Sequence, residues 1–373
     1  GGSVFPAAAT VRYPATRRRL AEATWTRQTP ASWWRQSQVR LFLQSIDRRT
    51  EVLPNTVTYV AAANGRPWRR VRPLRLEPSA DHDTRGVRWN NNLVLGRHQL
   101  AAGAEAWEKR LRSSRNRWTE TAILTADSTV LDADTALVAD RPLPNSRFRP
   151  VGVYLEDDVA VSSRLTFSGG LRADALAVDG ERTWRSYVPA TDAVLWESAH
   201  DTDYSLSAQA RAACRLTDRL EVYLTLARSF RAPGLEERFL YVDLGDQVRL
   251  GDPDLDSENG QFVEGGFQVR TARSRWGGQA YANRIRNLVI DRAGHYEGRP
   301  AWIKANAGEA LLWGWEGTFD YAPLPAALLS ASAAWVRGTD EQDGTDLPEI
   351  PPLCGRLSAR YARGFWVQTD LDL

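Results

Sequence analysis

The carboxylates between residues 252 and 258 are the first candidates for chemistry in this sequence. Asp252, Asp254, Asp256 and Glu258 recur at every second position, and Ca²⁺ accepts such oxygen ligands. The same stretch contains Asp-Pro-Asp around Pro253, which is typical of a tight turn. We interpret the stretch first as a turn, keep a calcium site as the alternative, and predict no metal site for the chain.

A second charged set lies on the polar face of a predicted hairpin at 151–178. Its members are Glu156, Asp158, Arg164, Arg172 and Asp174. A catalytic carboxylate pair needs a dry pocket that raises the pKa of one partner, and the sequence suggests no such pocket. We therefore interpret this set as a charge ladder that lines a wet interior.

Other catalytic patterns are missing from the sequence. It contains no Walker A sequence, no glycine-rich dinucleotide turn, no nucleophile elbow and no His-Glu-x-x-His. The histidines, His82, His98, His200 and His295, are isolated and lack the spacing of metal ligands. We predict a protein that is not an enzyme and that carries no cofactor.

The elements that position these residues read as β-strands. Between residues 219 and 227, apolar side chains alternate strictly with polar ones, and the same alternation returns between 263 and 270. A period of two indicates strands with one apolar and one polar face. We expect the apolar side chains to face lipid: Leu220, Val222, Leu224, Leu226, Val263, Phe267 and Val269. The stretch between these two strands is much longer than a hairpin needs, which favours a functional or mobile connection.

The same patterning repeats along the chain. We predict about 15 strands, at residues 20–27, 35–46, 51–60, 85–95, 98–110, 149–161, 164–178, 203–216, 219–227, 261–271, 275–290, 311–321, 326–337, 353–361 and 365–373. Short and long connections alternate between them, and the long ones are predicted at 61–83, 111–147, 179–202, 291–307 and 338–352. This rhythm is typical of an antiparallel up-and-down transmembrane β-barrel. A β-sandwich mixes loop lengths at both ends, and a propeller shows a longer repeat.

Composition is compatible with that fold. No run approaches the ~20 apolar residues of a membrane-spanning helix, and the mean hydropathy is −0.44. The 15 Trp residues suit aromatic girdles, with a carbohydrate-binding surface as the competing interpretation. A net charge of +2 gives no case for nucleic acid. Cys214 and Cys354 are predicted at opposite ends of their strands, so we expect no disulfide between them.

An ordered series of short motifs resembles the barrel of TonB-dependent outer-membrane receptors. A Phe-Arg-Ala-Pro box stands at 230–233, and Asp-Pro-Asp-Leu at 252–255 has Asp where the family usually has Asn. Glu258 stands where the family glutamate falls, although Ser257 replaces the proline before it. Similar stretches follow the family at 153–158, 170–174, 306–317 and 347–352. The residues that carry the two boxes are Phe230, Arg231, Ala232, Pro233, Asp252, Pro253, Asp254, Leu255 and Glu258.

The resemblance implies a barrel of about 22 strands with an N-terminal plug. Residues 1–10 show no signal peptide, and the sequence stops inside a predicted strand. We therefore expect residues 1–373 to be the barrel domain of such a receptor, truncated at both ends and without its plug.

The resemblance also implies a function and partners. It implies uptake of a scarce ligand, foremost a ferric siderophore, through the outer membrane, with energy from TonB through the plug and with lipid around the wall. A passive pore and a secreted, Trp-rich carbohydrate-binding protein are the alternatives. Haem receptors of this family place a histidine between the two boxes, and here none lies between 230 and 255. Residues in the long connections are the candidates for ligand capture, although such residues commonly serve loop packing: Trp184, Arg185, Tyr187, Trp196, His200, Tyr241, Arg249, His295 and Tyr296.

Overall fold

The structure is a computed structural model that describes residues 10–29, 32–54, 57–61, 67–141, 143–184, 194–243, 247–342, 344–363 and 365–372. Within these ranges the fold is nearly all β, and neighbouring strands in the main sheet are antiparallel. No helix in the described ranges is long and apolar enough to cross a membrane.

The main sheet has 16 strands among the described residues. Its continuous path consists, in order, of β1 (Thr10–Gln28), β2 (Trp34–Leu53), β4 (Pro67–Leu95), β5 (His98–Leu124), β7 (Ser146–Ala160), β8 (Leu165–Gly180), β11 (Ala199–Arg215), β12 (Leu220–Arg231), β15 (Glu258–Arg270), β16 (Ser274–Arg286), β19 (Glu309–Leu324), β20 (Ala327–Asp340), β21 (Cys354–Arg363) and β22 (Phe365–Asp372). Two further strands extend it at the side, β3 (Thr58–Ala61) beside β4 and β6 (Val130–Asp140) beside β5.

The remaining elements lie in the connections. The strands β9 (Thr183–Trp184) and β10 (Val194–Trp196) pair with each other. A small four-stranded sheet has the order β13 (Tyr241–Asp243), β14 (Val248–Leu250), β18 (Arg299–Asn306) and β17 (Val289–Tyr296). One turn of helix, α1 (Leu235–Phe239), precedes β13.

One face of the main sheet, which we name the outer face, is apolar and exposed. Register pairs place Leu226 opposite Val263 and Val222 opposite Phe267, so the side chains predicted to face lipid share this face. Leu224, Leu226, Val263 and Phe267 are exposed, and Leu220, Val222 and Val269 are half-buried. Leaving one such side chain in water forgoes about 1.5–3 kcal/mol. A face built from many of them is therefore suited to an apolar surrounding.

The opposite face, which we name the inner face, carries a polar network. Arg172 donates from Nε to Asp174 Oδ2 at 2.9 Å and from Nη2 to Glu105 Oε1 at 2.5 Å. Tyr154 donates to Asn90 Oδ1 at 2.8 Å. Arg172 and Asp174 of the predicted ladder thus interact on this face, while Glu156 and Asp158 lie on the same side of β7.

The prediction was wrong for Arg164, which lies in the turn between β7 and β8 instead of on a strand. It was also wrong at 51–60, where β2 runs to Leu53 and the short β3 begins only at Thr58. The predicted long loop at 61–83 is largely strand β4. Prolines within a run argue against a strand; a register irregularity between Pro73 and Arg75 accommodates one of them, whereas Pro78 pairs in regular register with Arg115.

Three other predicted loops also contain strands, and the one at 179–202 contains the short β9 and β10. Residues 111–124 continue β5, and β6 pairs beside them; polar side chains on both faces of this segment removed the alternation that marks a half-buried strand. Residues 289–306 form the β17–β18 hairpin. Its turn is at Glu297 and Gly298, which both have positive φ, and this Glu-Gly pair is a weaker turn signal than Asn-Gly or Asp-Gly.

The hydrophobic core lies between the inner face and the connections. Leu111 and Val178 from the main sheet contact one cluster with Trp196, Leu235, Phe239, Tyr241, Val248, Leu250 and Ala301. The connections therefore fold onto the inner face at one end of the strands. Cys214 on β11 and Cys354 on β21 are both free.

Candidate functional site

The candidate site is the connection at 232–257, which leaves the main sheet after β12 and returns to it at β15. The last register pair between these strands is Arg231 with Glu258. Pro233 follows and is fully buried; its fixed φ and missing N–H suit the point at which the ladder ends. Phe230 and Ala232 are half-buried on either side of Arg231.

Arg231 joins three segments of the chain. Its Nε donates to Glu258 Oε2 at 2.7 Å, and its Nη1 donates to Glu237 Oε2 at 2.8 Å. Glu258 Oε1 also accepts a hydrogen bond from the Val289 amide at 2.9 Å. The first motif box therefore contributes a guanidinium that ties the ends of β12 and β15 to helix α1, while Glu258 reaches the start of β17.

Helix α1 is held at its first turn by its own glutamate. Glu237 Oε2 accepts the Gly234 amide at 2.7 Å, which satisfies one of the donors that a helix start leaves open. Burial raises the pKa of the Glu237 carboxyl, but hydrogen bonds from Arg231 and from the Gly234 amide outweigh burial. The net effect is a pKa below the ordinary value of 4.5, so Glu237 is ionised at neutral pH.

Arg238 is a residue of this site that sequence reasoning missed. Its side chain is 2% exposed, and it donates from Nη1 to the Pro253 carbonyl at 2.7 Å and from Nη2 to Asp203 Oδ2 at 3.0 Å. Asp201 lies 3.1 Å from Nη1, and the Ser257 hydroxyl donates to Asp203 Oδ1 at 2.8 Å. A buried charge needs such partners. In the sequence, Arg238 sits in an ordinary charged run, and nothing there distinguishes it.

The stretch at 252–258 folds as a turn. Asp252 Oδ1 accepts the Asp254 amide at 2.9 Å, and the Asp256 amide donates to Asn306 Oδ1 at 2.9 Å. Leu255 is buried at 3% exposure, and the carbonyl of Pro253 serves Arg238. The stretch therefore joins the connection to α1 and to β18. Among the described residues, no group of three or more His, Cys, Asp or Glu could hold a metal ion.

The aromatic candidates for ligand capture are mostly packed. Trp196 is buried edge-on against Phe239, with ring centroids 6.2 Å apart. Tyr241 is buried, and the half-buried Tyr296 packs against it with centroids 6.2 Å apart.

The cationic and imidazole candidates lie at the surface. Arg249 and His295 are exposed, and His200 shares a 2.6 Å hydrogen bond with Asp179 Oδ1. Arg185 and Tyr187 lie outside the described residues, and only the backbone of Trp184, in β9, is described.

The small sheet places Arg249 beside a residue that the sequence analysis did not single out. Arg249 pairs in parallel register with Trp302, whose side chain is 38% exposed. Alternation within Ala301-Trp302-Ile303-Lys304 is the signal that could have found it, because period-two patterning predicts a strand with Trp302 and Lys304 on one face. The structure does bring Arg249, Trp302 and His295 onto one sheet.

Comparison with known proteins agrees with this architecture. Residues 3–371 match the family described as TonB dependent receptor-like, beta-barrel. A search of curated proteins gave no match.

Solved structures share the fold at low sequence identity. The copper transporter OprC is 16% identical with a TM-score of 0.75, and the match covers 97% of this chain and 52% of that one. The siderophore receptor PiuA from Acinetobacter baumannii is 14% identical with a TM-score of 0.59, covering 92% and 52%. The ferric-catecholate import receptor Fiu from E. coli K12 is 11% identical with a TM-score of 0.54, covering 95% and 50%. The chain spans about half the length of these structures.

The apolar outer face, the polar inner face and the connection tied down by its two motif boxes are therefore parts of one known architecture. The sheet is the wall of an antiparallel outer-membrane β-barrel, and the chain belongs to the TonB-dependent receptor family, in its β-barrel region.

Proposed function

We propose that this protein takes up a scarce small ligand across the outer membrane with energy supplied by TonB, and that the ligand is a ferric siderophore. The barrel region lies in the outer membrane, and its family consists of transporters, not enzymes. In the proposal, a plug domain inside the wall binds TonB and couples its energy to release of the ligand.

The observation that carries the proposal is the placement of the connection at 232–257. It packs onto the inner face through Leu235 and Phe239, and the Arg231 and Arg238 networks fix both of its ends. A structured connection that is packed against the inner face supports a receptor that selects its ligand. In the proposal, an entering ligand passes the side chains of this connection.

The side chains of this chain support a chelate in preference to a bare copper ion as the ligand. Soft sulfur ligands from Cys and Met select copper(I). The sequence contains no Met, and its two cysteines lie on β11 and β21, strands separated by five others along the sheet. In a ferric siderophore, the siderophore supplies the iron ligands. The protein needs to provide only positive charge and an apolar contact surface, which arginine and aromatic side chains supply.

Uptake of radioactive iron tests the proposal. The intact receptor, expressed in cells that lack other siderophore receptors, should import iron from ferric siderophores only when TonB is present. Equal uptake with and without TonB would contradict energy coupling and would favour a passive pore. Recovery of the protein from the medium with bound oligosaccharide would favour a secreted carbohydrate-binding protein.

A further inference from the structure

The small sheet of β13, β14, β18 and β17 has two unlike faces. Tyr241, Val248, Leu250 and Ala301 form one face and are buried in the core. That core contains Leu111 and Val178 of the main sheet, so the buried face looks toward the inner face of the wall. The other face of the small sheet therefore points away from the wall, into the space that the wall surrounds.

This second face centres on Trp302. The register places Arg249 on one side of Trp302 and Ala293 on the other, on strands about 4.8 Å away. The small side chain of Ala293 leaves one flank of the indole open. Lys304 lies two residues further along β18 on the same face and forms a 3.0 Å ion pair with Asp291.

Arg249 differs from the other arginines of this region. Arg231 and Arg238 bind carboxylates, whereas Arg249 is exposed and forms no ion pair or hydrogen bond with any described residue. Because no described residue engages this guanidinium, its donors are available to an external anion. The adjacent indole offers an aromatic surface on which a flat ring stacks.

We propose that Arg249 and Trp302 form a recognition platform for an anionic chelate that carries flat aromatic rings. Arg249 binds the negative charge, and Trp302 stacks against a ring. Because the strands that carry the two residues are hydrogen-bonded to each other and packed from behind, the platform is already ordered before the ligand arrives, which reduces the entropic cost of binding. This inference rests on the proposed function, since it assigns a ligand class to the same receptor.

Binding to the purified intact receptor tests the platform. The probe is the iron(III) complex of three catecholates, which is a trianion with flat rings, and the comparison ligand is the uncharged iron(III) complex of three acetohydroxamates. The variants are Arg249→Gln and Trp302→Ala. The matched control is Arg292→Gln, which removes an exposed arginine from the other side of β17 in the same sheet. Heat-modifiable migration on SDS gels checks that each variant is folded.

We expect wild-type receptor to bind the trianion more tightly than the neutral complex. Arg249→Gln and Trp302→Ala should each weaken binding of the trianion about tenfold, and Arg292→Gln should leave it within about twofold. Absence of trianion binding by the wild type, or equal affinities for all folded variants, would overturn the platform.

Uptake by the same variants separates the two proposals. TonB-dependent iron uptake with unchanged trianion affinity in the variants would retain the function and reject the platform. Weakened trianion binding in a receptor whose uptake does not need TonB would retain the platform and reject the energy coupling.

Discussion

Arg231 and Glu258 face each other in the last register pair of β12 and β15, and their side chains close that pair with a hydrogen bond of 2.7 Å from Nε to Oε2. The long connection leaves and re-enters the wall at this one point. An ion pair at this junction holds both ends of the connection together. The same pair in the middle of the strands would join two segments that backbone hydrogen bonds already hold together.

Arg231→Gln should loosen the connection. Glu258 is 9% exposed and would lose its guanidinium donors, which costs about 1–3 kcal/mol. Hydrogen–deuterium exchange of the intact receptor in detergent should show faster exchange across residues 232–257. Arg337→Gln is the control, because Arg337 and Asp346 are 3.3 Å apart and largely exposed, so their pair contributes about 1 kcal/mol or less. Equal exchange in both variants would contradict the role of Arg231.

The first turn of α1 should depend on pH. The pKa of Glu237 is lowered below its ordinary 4.5 because hydrogen bonds from Arg231 and Gly234 outweigh burial. A lowered folded-state pKa means that this stabilisation is complete above 4.5 and is lost as the pH falls through the folded-state value. Exchange at residues 234–240, corrected for the intrinsic rate, should therefore rise as the solution is acidified below 4.5.

Glu237→Gln isolates that contribution from the neighbouring carboxylates Glu258 and Asp203. The glutamine does not titrate, so exchange in the variant should be faster at neutral pH and should change less on acidification. A variant with the same pH profile as the wild type would show that another group controls the helix.

Gly251→Ala should displace the helix from the turn at 252–258. A Cβ at this position would lie 2.6 Å from the Glu237 carbonyl oxygen and 2.7 Å from the Arg238 carbonyl, and backbone atoms cannot rotate away as a side chain can. We expect a cost of about 1–3 kcal/mol and a lower temperature for the loss of the folded band on SDS gels. Gly265→Ala is the control, since its nearest neighbour lies 3.9 Å away. A control that is as harmful as the test variant would refute the steric argument.

Sequence reasoning succeeded where one physical pattern dominates and failed where two compete. Leu224 and Val263 stand in strict alternation, so their shared exposed face was predictable. Strand β4 was hidden by Pro73 and Pro78. Only pairing with β5 reveals that a register irregularity absorbs Pro73 and that Pro78 fits opposite Arg115 without one. Arg238 was hidden for a related reason. Its partners Asp203 and Pro253 are distant in sequence, and only the folded connection brings them together.

The outer face supplies the last prediction. Leu224 is 49% exposed on this face, where hydrocarbon surrounds it in the membrane, and β12 continues the apolar row with Leu226. Leu224→Arg should destabilise the barrel by about 2–4 kcal/mol, because a guanidinium near the middle of the bilayer loses its hydration. Gln268→Lys is the control: Gln268 lies on the inner face of β15 and pairs in register with Glu221, so a lysine there stays hydrated beside a carboxylate. The measurement is denaturant unfolding of the intact receptor in phospholipid vesicles, followed by tryptophan fluorescence. The free energy of unfolding should be lower for Leu224→Arg than for the wild type, and that of Gln268→Lys should lie within about 1 kcal/mol of the wild type. If the two changes have equal effects, the assignment of the lipid-facing side is wrong.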